Sequence, residues 1–215
     1  MTSGSADNFD EAEVGVGKHP QPWPDDPRLD AELLAHGDRR NVLDKYRYWT
    51  VGAIVADLDT RRHPFAVAIE NWRHDLNIGT VVRTANAFLA REVIIVGRRR
   101  WNRRGAMVTD RYQHIRHVET ITELVDTSPD YLIVAIDNLP GAQPLETATL
   151  PQNSLLLFGQ EGSGLSDEAR AAAGAVYSIA QFGSTRSINA GVAAGIAMHA
   201  WVRQHAGRAH THDLS

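Results

Sequence analysis

Cysteine is absent from the whole chain, which excludes disulfide staples and thiolate chemistry and fits a reducing compartment. Long apolar runs are missing as well. The longest weakly polar stretch, Gly191 to Val202, falls far short of the ~20 residues a membrane span needs. The N-terminal MTSGSADNFDEAEVGVG is acidic and has no apolar segment, so no signal peptide is expected. These absences together lead us to expect a soluble, cytoplasmic protein with no membrane partner.

Several familiar fingerprints are also missing. The first apolar run is followed by NWRHDLNIGT, with one glycine, where a dinucleotide fold needs G-x-G-x-x-G. The same gap disfavours a Rossmann-type methyltransferase and a nucleotide-dependent oxidoreductase. There is no G-x-x-x-x-G-K-[ST] phosphate loop and no G-x-S-x-G nucleophile elbow. His114 and His117 form an H-x-x-H pair without a third ligand, so no metal is expected. His205, His210 and His212 read as part of a C-terminal tail.

What is present is organised. Residues 1–27 are rich in Gly, Asp and Pro without apolar periodicity, and predict a flexible tail. Residues 28–62 turn helical, broken near Gly37, with Val42, Tyr46, Trp49 and Ala53 at helical spacing. From 63 to 205 short apolar runs alternate with helical stretches, and 206–215 form a second tail. FAVAIE (65–70), EVIIVG (92–97), YLIVAID (131–137) and SLLLFG (154–159) suit strands buried on both faces. IRHVE and VYSIA are weaker candidates. Helices are predicted over 77–90, 121–126, 166–173 and 187–205. The alternation predicts an α/β fold, an open and mostly parallel sheet with flanking crossover helices. Ligands of such sheets collect at the carboxyl ends of strands, which is where the polar clusters NWRHDLNIG, IDNLPG, GQEGSGLS and QFGSTRSIN fall.

The net charge is −4, yet Arg98, Arg99, Arg100, Arg103 and Arg104 crowd into RRRWNRR. That cluster reads either as a solvated loop or as a local phosphate-binding surface. RRNVLDKYRYW (39–49) also mixes cations with aromatics, and its Tyr46 and Trp49 could stack on bases or pack a helix.

Three constellations carry the chemistry. In N-I-G-T-V-V-R, Asn77 is a natural N-cap, Val81, Ala85, Phe88 and Leu89 form a sheet-facing stripe, and Gly79 leaves room for a ligand near Arg83. In F-G-Q-E-G-S-G-L-S, three glycines and Glu161 make a tight loop open to a ligand, before a helix capped by Ser166. In F-G-S-T-R-S-I-N-A-G-V-A-A-G, Ser187 reads as an N-cap with Asn189 in the first turn. Each also has a plain structural reading as a capped helix or glycine turn.

In this order, over about residues 65–203, the three resemble the motifs of the SpoU (TrmH-like) family of the SPOUT superfamily. The chain departs from that pattern at Ala180 and Gln181 (usually Pro-Met), Ile188 (Leu), Ala190 and Gly191 (Val-Ser) and Leu89 (Gly). The resemblance implies a deep trefoil knot near the C-terminus, S-adenosylmethionine as methyl donor, methylation of a ribose 2′-hydroxyl in tRNA or rRNA, and a homodimer. It implies Arg83, Asn77, Glu161, Ser187 and Asn189 as the catalytic set. Ile136, Gly159, Gly162, Ile179 and Ile188 would hold the cofactor, and Arg98, Arg99, Arg100, Arg103 and Arg104 would hold RNA. Arg83 reads as the base or as a clamp that orients the hydroxyl, since a guanidinium keeps its proton to above about pH 12. The alternative is a non-catalytic protein of the same fold that binds cofactor or RNA.

Overall fold

The computed structural model describes residues 15–71, 77–160, 162–185 and 187–207. The chain divides into two compact units between Ile54 and Val55, eight residues before the boundary read from the sequence.

In the first unit, hydrogen bonding begins within the stretch assigned to a tail. Val16 pairs with Asp38 as an antiparallel bridge, each backbone amide donating to the other's carbonyl at 2.9 Å. Backbone pairing of this kind leaves no apolar periodicity for a sequence reading to detect. Helix α1 (Ala31–His36) is capped by Asp30, which accepts from the amides of Glu32 and Leu33. Asp38 is fully buried. Burial alone would raise its pKa, but bonds from the Arg40 guanidinium (2.7 and 2.9 Å) and from the amides of Arg40 and Tyr48 outweigh it and hold the carboxyl at about 2. Tyr46 is buried edge-on against Trp49, Arg28 lies 4.3 Å over the Trp49 ring, and Arg47 pairs with Asp44. Tyr46 and Trp49 thus pack within this unit, and Arg40 and Arg47 pair there, so none of the four is left as a free RNA grip.

Helix α2 (Val51–Asp59) leads into the second unit. There the apolar runs form strands β1 (Ala66–Asn71), β2 (Val93–Gly97), β3 (Ile115–Val118), β4 (Leu132–Ile136), β5 (Gln143–Pro144), β6 (Ser154–Phe158) and β7 (Ala175–Ser178). All pairs are parallel, in the order β3-β2-β1-β6-β4-β7-β5. The two-residue edge strand β5 ends in proline and was too short to expect.

Both faces of this sheet are covered, which is why the strands are apolar throughout. Along β1, Val67 and Ile69 enter one core with α3 (Ile78–Ala87) and α6 (Ala190–His205). Ala66 and Ala68 enter the other, with α4 (Ile121–Asp126) and α5 (Asp167–Ala172). Helix α6 is built in two halves. Its glycines press onto α3: Gly191 lies against Thr80 and Gly195 against Thr84. Its far end buries Trp201, whose ring sits 4.4 Å from Phe65 and whose Nε1 donates to Pro151 O at 3.1 Å. His63 stacks on the same Phe65, and burial lowers its pKa.

Candidate functional site

The strand order reverses between β1 and β6, the position at which open parallel sheets form a crevice. A cavity of about 480 Å³ opens beside it, at the carboxyl ends of β4 and β6 and past β7. Ile136, Asp137, Asn138 and Leu139 supply one wall, and Phe158 to Gln160 with Gly162 to Gly164 a second. Ile179, Gln181, Ser187, Ile188 and Asn189 close it, with Ala190 and Ala193 from α6. Each cofactor candidate named from the sequence, Ile136, Gly159, Gly162, Ile179 and Ile188, lines this cavity. The size falls within the ~300–1,000 Å³ usual for small-molecule sites.

The glycine loop after β6 folds back on itself. A Cβ on Gly159 would lie 2.1 Å from the carbonyl carbon of Gly164, so no side chain fits. Gln160 Nε2 donates to Ser163 Oγ at 2.8 Å, and Gly164 N donates to Gln160 O at 3.1 Å. Asp137, which the sequence reading did not single out, anchors this loop: its Oδ2 accepts from Leu165 N at 3.1 Å. Gly164 has φ +68°, and a Cβ there would lie 2.7 Å from that same oxygen. A carboxylate ending an apolar strand was the available signal. Ser166 caps α5 as expected, accepting from Ala169 N. Glu161 lies outside the described residues.

Two capping expectations are corrected. Asn77 makes no capping bond: its backbone is already helical, and its Oδ1 instead accepts from Asn189 Nδ2 at 2.9 Å. Helix α6 begins at Ala190, so Asn189, not Ser187, is its cap, with Oδ1 accepting from Gly191 N and Val192 N. The pair Asn77–Asn189 thus joins two motifs 112 residues apart. Ser187 lines the cavity, whereas Arg83 is exposed on α3 and is not part of the lining.

Gly79 is also corrected. The space left by its missing side chain is filled by backbone, not kept for a ligand: a Cβ would lie 2.7 Å from Ala106 N and 2.8 Å from Gly105 Cα. The arginine loop therefore docks directly on the first turn of α3. Arg98, Arg99, Arg100, Arg103 and Arg104 are exposed, Arg103 facing Asp110 at 3.5 Å. Beneath them Asn71, another residue the sequence reading passed over, ends β1 fully buried. His114 pairs with Asp59 at 2.8 Å, and His117 bonds Gly97 O at 2.6 Å.

Of the departures noted above, Leu89 has φ +52°, a left-handed conformation that explains why glycine suits that position. Gly191 lies against Thr80, where a Cβ would be 3.2 Å from its Cγ2.

Fold and cavity together define an open parallel α/β protein with a ligand-sized site at the carboxyl edge of its sheet. Residues 64–199 match the SpoU rRNA Methylase family, and the chain belongs to that family. An uncharacterized tRNA/rRNA methyltransferase of Mycolicibacterium smegmatis is 31% identical over 193 residues, 83% of this chain and 60% of that one. The SpoU methyltransferase AviRb of Streptomyces viridochromogenes, solved with the cofactor AdoMet, is similar at 25% identity and TM-score 0.62, covering 70% of this chain and 62% of that one. A structure solved for the 2-OH methylation of C/U34 on tRNA is also 25% identical, with TM-score 0.60, covering 68% of this chain and 99% of that one. The chain spans about half the length of the curated relatives it matches.

Proposed function

We propose that this protein is an S-adenosylmethionine-dependent RNA methyltransferase acting on a ribose 2′-hydroxyl of tRNA or rRNA. The observation that carries the reading is that the second and third motifs line one cavity and the first is tied to its wall by the Asn77–Asn189 bond. The cavity fits the cofactor in chemistry as well as size. Ile136, Ile179 and Ile188 offer apolar contact to an adenine, and the folded-back loop at Gly159 and Gly162 brings backbone close to the ligand. The family reading also carries a trefoil-knotted C-terminal segment.

S-adenosylmethionine bound there would supply a methyl group already activated on sulfonium sulfur; its transfer would form the O–CH₃ bond, break the S–CH₃ bond and release the hydroxyl proton. The residues of the chain hold the hydroxyl in line and find a place for that proton. Positioning of this kind is worth ~7–11 kcal/mol in well-oriented systems. Arg83 either clamps the phosphate next to the reactive ribose as a charged guanidinium, orienting the hydroxyl while its proton leaves to that phosphate, or, in a neutral form, takes the proton itself. Asn77, Ser187, Asn189 and Glu161 fix the loops around the reacting centre. The exposed arginines at 98, 99, 100, 103 and 104 neutralise RNA phosphates.

The working form is a homodimer whose sites draw on both chains. Two observations support it: Arg83 does not line the cavity of its own chain, and α6 exposes Val192 and Ile196, one turn apart, at 54% and 41%. Arg83→Ala is expected to leave S-adenosylmethionine affinity unchanged and to lower methyl transfer by ~10²–10⁴-fold. Labelled methyl transfer into RNA from cells lacking the gene checks this, with mass spectrometry for the 2′-O-methyl nucleotide. A fully active variant would sink the assignment.

A further inference from the structure

Asn71 is fully buried, yet it uses its side chain in one direction only. Nδ2 donates to Arg98 O at 2.6 Å and to Arg100 O at 3.0 Å. Its buried Oδ1 has no hydrogen-bond partner among the described residues. An amide selected for stability alone would pair both ends; this one leaves its acceptor unpaired among the described residues and directs both hydrogens to a single loop. Both bonds fall on backbone carbonyls, so the side chains of Arg98, Arg99 and Arg100 stay exposed.

The rest of that loop is held from below too. Gly105 and Ala106 lie backbone to backbone on Gly79 of α3. Trp101 packs on the core, Arg104 N donates to Asn102 Oδ1 at 2.9 Å, and Thr109 Oγ1 donates to Ala106 O at 2.6 Å. Met107 and Val108 are consecutive left-handed residues at φ +47° and +69°. A β-branched residue in that region is strained, and strain persists where surrounding contacts over-determine the backbone. Five arginines within seven residues repel one another, and nothing in their own sequence would order them.

We infer that Asn71 is a positioning residue that sets the arginine loop as a fixed rail for the phosphates of a folded, double-helical RNA segment. The inference rests on the RNA methyltransferase reading above. A loop backbone held in place carries its cations at set anchor points, which matches a phosphate array of fixed spacing, as in an A-form stem. A flexible single strand gains less from it, because such a strand adapts to cations wherever they lie.

The test uses the full chain, an in vitro transcribed tRNA as the duplex-containing probe and poly(U) as the single-stranded control, each titrated at several salt concentrations. Asn71→Ala removes no charge. It is expected to weaken tRNA binding ~10-fold and to flatten the slope of log affinity against log salt by about two, because fewer phosphates are engaged. Binding of poly(U) and of S-adenosylmethionine should stay within about two-fold of wild type. An unchanged tRNA affinity and slope overturns the inference. Equal losses on both RNAs, or a parallel loss of cofactor affinity, do the same, since either marks general disruption. Should Asn71→Ala fail to fold, Asn71→Ser keeps one donor and is read by the same criteria; if neither folds, Asn71 is purely structural and the inference falls. Wild-type protein that binds neither RNA overturns the RNA reading together with this inference, whereas normal wild-type binding with an indifferent Asn71→Ala overturns the inference alone.

Discussion

Asn189 spends the two ends of one carboxamide on different partners: Oδ1 caps α6 through Gly191 N and Val192 N, and Nδ2 donates to Asn77 Oδ1. The two tasks separate by substitution. Asn189→Ala removes both, and loss of such a cap costs about 1 kcal/mol. Asn189→Asp keeps the acceptor and adds a charge favoured at a helix N-terminus, but it sets oxygen against oxygen at Asn77. Asn189→Asp should therefore denature near the wild-type midpoint while methyl transfer falls ~10-fold or more, because the bond that links the Asn77 motif to the cavity wall is lost while the cap is kept. Denaturant titration beside labelled transfer checks both halves. Equal stability losses in the two variants would show that the Asn77 contact is structural and does not specifically serve the site.

At the scale of elements, glycine plays opposite parts in the two helices that meet over the sheet. Gly79 faces the backbone of Gly105 and Ala106 under 3 Å from a would-be Cβ, while Gly195 faces only the Thr84 methyl at 3.8 Å. Replacing either by alanine gains up to ~1 kcal/mol of helix propensity. At Gly195 that gain stands, since 3.8 Å is ordinary contact, and Gly195→Ala should raise the melting temperature. At Gly79 the backbone must move, overpacking of this kind costs ~1–3 kcal/mol, and Gly79→Ala should melt lower and loosen the arginine loop. Opposite signs in a thermal melt are the expected result. The same contrast shows what a sequence can reveal. The main strands and helices α3 to α6 were legible because apolar period and run length respond to burial, which these elements share. Asn77 and Ser187 were misjudged as caps because capping depends on where a side chain's partner lies, and that of Asn77 lies 112 positions away. In the sequence Gly79 reads as ligand space, because a missing side chain does not say what fills the gap. Asn71 and Asp137 were passed over for a related reason: their partners belong to loops brought near only by the sheet.

The sheet order sets the cavity on the β6-β4-β7 half and the arginine loop on the β2-β1 half, with the Asn77 motif joined to the cavity wall through Asn189. Arg83 does not line its own chain's cavity, so for the homodimer proposed above the question at the scale of the whole molecule is which chain's Arg83 would serve which cavity. A two-fold contact through Val192 and Ile196 would be isologous, each patch meeting its own copy. Ile196→Glu then sets like charges face to face in a buried contact, which is strongly unfavourable, and should sediment as a monomer with weakened methyl transfer. Complementation decides the arrangement. Arg83→Ala keeps a sound cavity, and Asn189→Asp keeps a sound Arg83. If a site takes its cavity from one chain and its arginine from the other, mixing the two impaired variants rebuilds one good site in each mixed dimer. Random exchange makes about half the dimers mixed, and one site in two is whole, so activity should recover to about a quarter of wild type. A site built within one chain has no such route: every chain in the mixture carries a defect, and no activity would return.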